Sequence, residues 1–356
     1  MLQKKYFTVG PSELYPTVYK HILKALKRDI PSISHRGSEF KKLYQEVSEN
    51  LKKLLKIPAK HQIFFTSSAL EAFERIIQGC VQSSSLHIIT GSFGSSWFKT
   101  AQDLAKSPLK EEASAGEGID LTNLKVPKEA ELICITQNDT STGVWLPPEG
   151  IHALKLHYPK KLIAVDVVSS IPYVDLDYSK IDITLFSVQK GFGLPAGLGV
   201  MIVSPQALEK AGELLRTGIS IGSYHSLINF SKKYSEFLTP ETPNVLNIYL
   251  MSSVIGDMLK LGIDKIRRQT DQKANLIYKF FERHSDFKPF VKDPKYRSKT
   301  SLVVDVLGRA KELKEKLAKK GIIISAGYGD YKENHIRLAN FPSQTLSDVR
   351  KLLSFI

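Results

Sequence analysis

Residues 182–204 read DITLFSVQKGFGLPAGLGVMIVS, and this stretch decides the fold. An apolar, β-branched run over 183–186 ends in Ser187-Val188-Gln189-Lys190. A turn rich in Gly and Pro follows, and a second apolar run over 198–203 closes the segment. Both runs read as buried strands. Lysine is rarely buried unless something binds it, so one enclosed by two core strands needs a reason. The plain alternative is a strand-end lysine that snorkels to solvent. Gly191, Gly193, Gly197 and Gly199 argue against it, because they remove side chains where another group can approach the backbone. Desolvation disfavours the ammonium form, and a neutral amine can attack an aldehyde. Lys190 therefore reads as a reactive amine.

The segments around it alternate strand with helix. A helix near 149–157 leads into a strand over 162–168 that carries Asp166 near its end. The strand 132–136 ends in the polar loop Gln137-Asn138-Asp139-Thr140-Ser141-Thr142-Gly143, and the strand 86–90 in Gly91-Ser92-Phe93-Gly94. The strand 61–66 runs into Ser67-Ser68-Ala69-Leu70-Glu71-Ala72, which opens a helix reaching about Val81. Free N–H groups and the helix dipole make that turn a generic anion site, with Thr66, Ser67 and Ser68 adding hydroxyls. Such residues also cap helices that bind nothing. The alternation specifies an α/β fold built on an open, mostly parallel sheet, and such sheets bind ligands outside their strand ends.

At the N-terminus, TVGPSELYP reads as an extended arm, with a helix over 16–27 after it. The loop Ser34-His35-Arg36-Gly37 precedes a helix in which Phe40, Leu43, Val47, Leu51, Leu54 and Leu55 recur at helical spacing. From about Asn244 the character changes. A long helical region over 245–281 is followed by shorter elements at 300–305, 310–320, 322–325 and 335–338, and by a last helix from near Ser347. The expected organisation is an arm over 1–15, a large domain over 16–244 and a smaller α+β domain over 245–356, with the long helix bridging the two.

The bulk properties narrow the function. With 356 residues the chain can bury a large core, and 42% hydrophobic and 24% charged residues are ordinary for a soluble globular enzyme. No apolar run has the length of a bilayer span, and the start has no secretory h-region, so no membrane partner is expected. Cys80 and Cys134 are too few for a disulfide framework and read as buried thiols in the cytoplasm, while no Cys/His spacing suggests a metal. The net charge of +14 is spread along helices without a nucleic-acid motif. It reads as a solvated surface that draws in anionic substrates, not as a nucleic-acid site.

Taken in order, VGPS, SHRG, GSFG, NDTSTG, AVDVVSS, SVQKGFGLPAG, FLTPETPN and HIRLANF resemble the class V aminotransferases, enzymes of fold type I that use pyridoxal 5'-phosphate (PLP). Within that family the chain is most similar to the phosphoserine aminotransferases. The resemblance implies a seven-stranded, mostly parallel sheet in the large domain. It makes Lys190 the covalent carrier of PLP and Asp166 the partner of its pyridine nitrogen. It puts Phe93 on the cofactor ring, Thr140 at the ring hydroxyl, and Ser68, Ala69 and Gln189 around the phosphate. Thr239 matches the residue that reaches that phosphate from a partner subunit, which implies a homodimer with a shared active site. Arg337 matches the arginine that grips the substrate carboxylate, and His35 and Arg36 the pair that reads the distal group. His335 is expected to help, because strand alternation puts it on the face of Arg337.

Three positions depart from the phosphoserine pattern. Ala69-Leu70 stand where an arginine is usual, Leu238 where an asparagine is usual, and Asp330 near the place of a late histidine. The implied reaction is amino transfer between L-phosphoserine and 2-oxoglutarate in a ping-pong cycle, as in serine biosynthesis. The alternatives are transfer from another small amino acid, such as alanine or serine with glyoxylate, or a non-catalytic anion- or nucleic-acid-binding protein. A cysteine desulfurase fits less well, since both cysteines precede Lys190 in apolar settings.

Overall fold

Two sheets divide the chain in the computed structural model, which describes residues 4–356. Residues 1–3 of the expected arm lie outside the described residues. The larger sheet has seven strands, in the spatial order Gln62–Thr66, Gly199–Val203, Ile183–Ser187, Leu162–Asp166, Ala130–Thr136, Ser84–Ile89 and Leu109–Glu112. Only Gly199–Val203 is antiparallel to its neighbours; the other pairings are parallel. The short turn after Lys190 accounts for the exception, because a parallel return needs a long crossover and this loop has none.

Period-two alternation splits each central strand between two cores. Val200 and Ile202 join a core under the helices Ser38–Leu55 and Val245–Leu261. Met201 and Val203 join the opposite core, with the helices Ala69–Cys80 and Pro205–Arg216. Both faces are covered, so these strands are mostly apolar, with buried Thr184 and His87 as exceptions, and polar residues collect at their ends.

The second sheet has the order Lys5–Phe7, Ile322–Ala326, His335–Ala339, Ser301–Asp305 and Lys288–Pro289. The segment expected as an arm thus contributes a strand, parallel to Ile322–Ala326 with Lys5 opposite Ile322, and Phe7 is buried in that sheet's own core. The long helical region is two helices, Val245–Leu261 and Ile263–Arg283, which meet at 84°. Gly262, at φ +85°, sits at the break, a conformation glycine adopts without strain. The first helix packs on the large sheet, and Ala274, Ile277 and Phe281 of the second pack under the small one. Among the described residues no single helix is long and apolar enough to cross a membrane.

Candidate active site

The strands Leu162–Asp166 and Ile183–Ser187 end side by side, with Asp166 opposite Leu185. That register brings Asp166 and Lys190 to one cavity of about 280 Å³. The cavity is also lined by Ser68, Ala69, Phe93, Thr140, Gln189 and Arg337. Lys190 is buried, and its Nζ donates to Thr140 Oγ1 at 2.8 Å and lies 5.3 Å from the centroid of the Phe93 ring. Burial lowers its pKa, against the opposing pull of Asp166 and Asp139, and Arg337 adds to the lowering. Asp166 is buried too. Burial raises its pKa, while the Val168 N–H and Lys190 hold it down and Asp139 adds to the rise.

The turn after Lys190 is packed from both sides by the chain's own backbone. A Cβ on Gly191 would lie 1.7 Å from the Ile171 carbonyl oxygen, so the groups that approach this glycine belong to the protein itself. Ser12 N donates to Gln189 O and Tyr15 N to Gly193 O, which draws the N-terminal segment over the loop. Gly10, at φ +149°, leaves room for the lysine stem: a Cβ there would lie 2.8 Å from Lys190 Cε.

The expected anion turn is next to this lysine. Ser68 caps the Ala69–Cys80 helix, accepting from Glu71 N, and Ala69 N donates to Ser187 Oγ at 2.8 Å. The Leu70 N–H has no partner among the described residues, as at a helix end ready for an anion.

Asp139 was not singled out by the sequence reading, yet it fixes two sides of the cavity. Its Oδ2 accepts from Phe93 N at 3.0 Å and Gly94 N at 3.2 Å, and its Oδ1 accepts from Ser141 N at 3.0 Å. The signal was Gly91, an N-cap with no side chain to satisfy the first turn of the Ser92–Asp103 helix, so a carboxylate from elsewhere does it. Tyr328 was also missed. Its ring lies 5.7 Å from Phe93 and 5.3 Å from the Arg337 guanidinium, and it lines the cavity. Arg337 Nε donates to Ala326 O at 2.8 Å, and burial lowers its pKa.

Four expected site residues do not line this cavity. His35 is half-buried and Arg36 exposed, both in the loop before Ser38–Leu55. Thr239 is buried, with its hydroxyl donating to Glu241 O at 2.8 Å. The expectation for His335 needs correcting. The ring is buried, stacked on Tyr331 at 4.7 Å and packed on Phe290 at 4.1 Å, so it supports the loop that carries Tyr328. Alternation gives its face of the strand, but not that aromatic rings cover it there.

The family model for class V aminotransferases matches residues 7–331. The chain belongs to that family. Its sequence is 26% identical to a phosphoserine aminotransferase of Rhodococcus opacus, over 98% of this chain and 93% of the relative. Its structure is similar to that of a phosphoserine aminotransferase from Cytophaga hutchinsonii, with a TM-score of 0.98 and 44% identity, covering 100% of this chain and 98% of the other. An alanine–glyoxylate aminotransferase from Nostoc shares the fold at a TM-score of 0.79 and 19% identity, covering 99% and 94%.

Class V aminotransferases use PLP, and the residues present fit it. An enclosed amine suits the aldehyde, and the Phe93 ring suits a planar heterocycle. Asp166 Oδ1 accepts from Val168 N at 2.8 Å, while Oδ2 has no hydrogen-bond partner among the described residues and is left for a ring N–H. The Ser68–Leu70 turn suits the phosphate.

Proposed function

We propose that this class V aminotransferase exchanges the amino group of L-phosphoserine with 2-oxoglutarate, a step of serine biosynthesis. The observation that carries the reading is the buried Lys190 amine in one cavity with Asp166 and Arg337. The 44% identity to a phosphoserine aminotransferase over the full chain supports the choice of substrate. When bound, PLP supplies an aldehyde for the amino group and a protonated ring that takes up the electron pair left at the substrate Cα. Lys190 takes the Cα proton as base and returns it as acid, a role its lowered pKa suits. Asp166 holds the ring N–H, and Asp139 keeps Phe93 and Thr140 in place. Arg337 pairs with the substrate carboxylate through its planar fork, which a lysine would not reproduce.

His35, Arg36 and Thr239 lie outside the cavity of their own chain, which supports reading them as contributions to a second copy's site. The active form is then a homodimer, with Thr239 at the neighbour's cofactor phosphate and His35 and Arg36 at the substrate's distal phosphate. Sedimentation of the holoprotein across a dilution series tests this, and a fully active monomer contradicts it. The division into a large and a small domain is likewise our reading, supported by the separate core of the second sheet, which takes in Phe7 of the N-terminal segment, while the Val245–Leu261 helix sits in the core of the large sheet. A cytoplasmic location is supported by the two buried, unpaired cysteines.

One observation favours a second reading, transfer from alanine or serine to glyoxylate. Lys190 and Arg337 are the only cations among the lining residues described, and the exposed Leu70 lines the cavity as well. Among the described lining residues, no cation besides these two is left for a substrate phosphate. The spectral change from aldehyde to amine cofactor, followed with a panel of amino acids, decides between the two. Fastest conversion by L-phosphoserine supports the first reading, and fastest conversion by alanine or serine supports the second.

A further inference from the structure

Outside the cavity, one charged cluster joins three separate segments. The buried His225 ring is bonded through Nδ1 to Glu71 Oε1, and through Nε2 to Glu241 Oε2 at 2.7 Å. Glu71 lies in the first turn of the Ala69–Cys80 helix, and its Oε2 accepts from Ser67 N at 2.8 Å and Ser67 Oγ at 2.7 Å. Glu241 lies in the loop whose backbone carbonyl accepts from the Thr239 hydroxyl. His225 itself is held in place, since Ser226 caps the Leu227–Tyr234 helix and the ring packs 4.8 Å from Phe230, a staple across the helix start.

A carboxylate at the first turn of a helix satisfies free N–H groups, but it also repels an anion bound at that same end. We infer that His225 is a positioning residue for the phosphate end of the cofactor site: it pins the Ser67–Ala69 turn of its own chain's site to the loop that offers Thr239 to the neighbour's, and its charge offsets Glu71 at the turn. This rests on reading the turn as the phosphate cradle. The charged groups facing the ring are Glu71 from the helix and Glu241 from the loop; Tyr224 and Phe230 contribute rings. Burial disfavours the imidazolium, but the hydrogen bonds it donates to Glu241 and Glu71 outweigh that and push the imidazole up to about 9. Burial works against Glu71 as well, and His225 and Ser67 hold its carboxyl down at about 2. The ring is therefore charged and the carboxylate ionised at neutral pH.

The test compares binding of PLP with that of pyridoxal, which lacks the phosphate, to the full-length chain stripped of cofactor. The affinity ratio cancels whatever Lys190 and Asp166 contribute to both ligands. His225→Gln is expected to reduce the preference for PLP at least tenfold while pyridoxal binding changes less than twofold. Adding Glu71→Gln to that variant is expected to restore most of the preference. In the wild type the preference should hold to about pH 8 and fall as the pH passes 9, where His225 loses its proton; this arm decides the matter if the variants fail to fold. A wild type with no preference for PLP overturns the cradle reading itself. A preference that survives His225→Gln, an equal loss for both ligands, or a ratio flat through pH 9 overturns the inference about His225 alone.

Discussion

Lys190 Nζ donates to Thr140 Oγ1 at 2.8 Å, and Thr140 follows directly on Asp139, the carboxylate that holds Phe93 N–H. The reacting amine, the ring-stacking residue and the polar loop are thus one connected unit. The loop supplies both the hydroxyl that orients the amine and the cap that sets the aromatic ring.

Asp166→Asn is expected to keep the cofactor and lose transamination by roughly two to three orders of magnitude, the scale for removing one preorganised electrostatic group. An amide cannot hold the ring N–H as a charged pair. Absorbance of the bound cofactor and kcat/KM check the two halves. Near-normal turnover would make Asp166 structural.

Burial lowers the pKa of Lys190 by more than Asp166 and Asp139 raise it, so the neutral amine exists at lower pH than in a free lysine. Covalent capture of PLP by the stripped chain should therefore speed up with pH and level off below about 10.4, the free-lysine value. Stopped-flow absorbance measures it. A rate still climbing through that pH would contradict the burial argument.

Gly191→Ala should destabilise by about 3 kcal/mol, because its Cβ would meet the Ile171 carbonyl at 1.7 Å and backbone must move. Gly256→Ala is the control. It sits within the Val245–Leu261 helix with nothing within 4 Å of the added Cβ, so it should stabilise by roughly 0.5–1 kcal/mol. Urea unfolding of both variants gives the comparison, and equal effects would remove the packing role of Gly191.

Arg36→Ala should weaken use of phosphoserine by on the order of 1.5–3 kcal/mol, the range for a charged hydrogen bond, and affect glutamate far less. The measurement is kcat/KM for both donors in wild type and variant. Equal losses would make Arg36 a structural residue of its exposed loop.

Much of this was legible in the sequence where a local rule acts. The apolar runs flanking Lys190 and the placing of Asp166 at a strand end follow from periodicity and from the habit of open α/β sheets to gather polar residues there. What pairs distant segments was not legible. The Lys5–Phe7 strand adds to a sheet more than 300 residues away through edge hydrogen bonds that leave no pattern in three residues. The break at Gly262 was readable in principle, since glycine often ends helices, but the apolar spacing ran on past it. His335 shows the remaining limit, because alternation fixes a face and only the fold puts Phe290 and Tyr331 over it.

Identifying the lysine that carries the cofactor tests the account most directly, because the chain has a rival. Burial pushes Lys273 down to about 7, so a low pKa alone would single it out. Yet its Nζ donates to Phe341 O at 2.8 Å and Gln344 O at 2.7 Å, and it does not line the cavity. Its amine is held by the backbone, whereas that of Lys190 faces Thr140 and Phe93 inside the site. Borohydride reduction of the yellow holoprotein, proteolysis and mass spectrometry should find the label on Lys190 alone; a label on Lys273 or any other lysine would contradict the account.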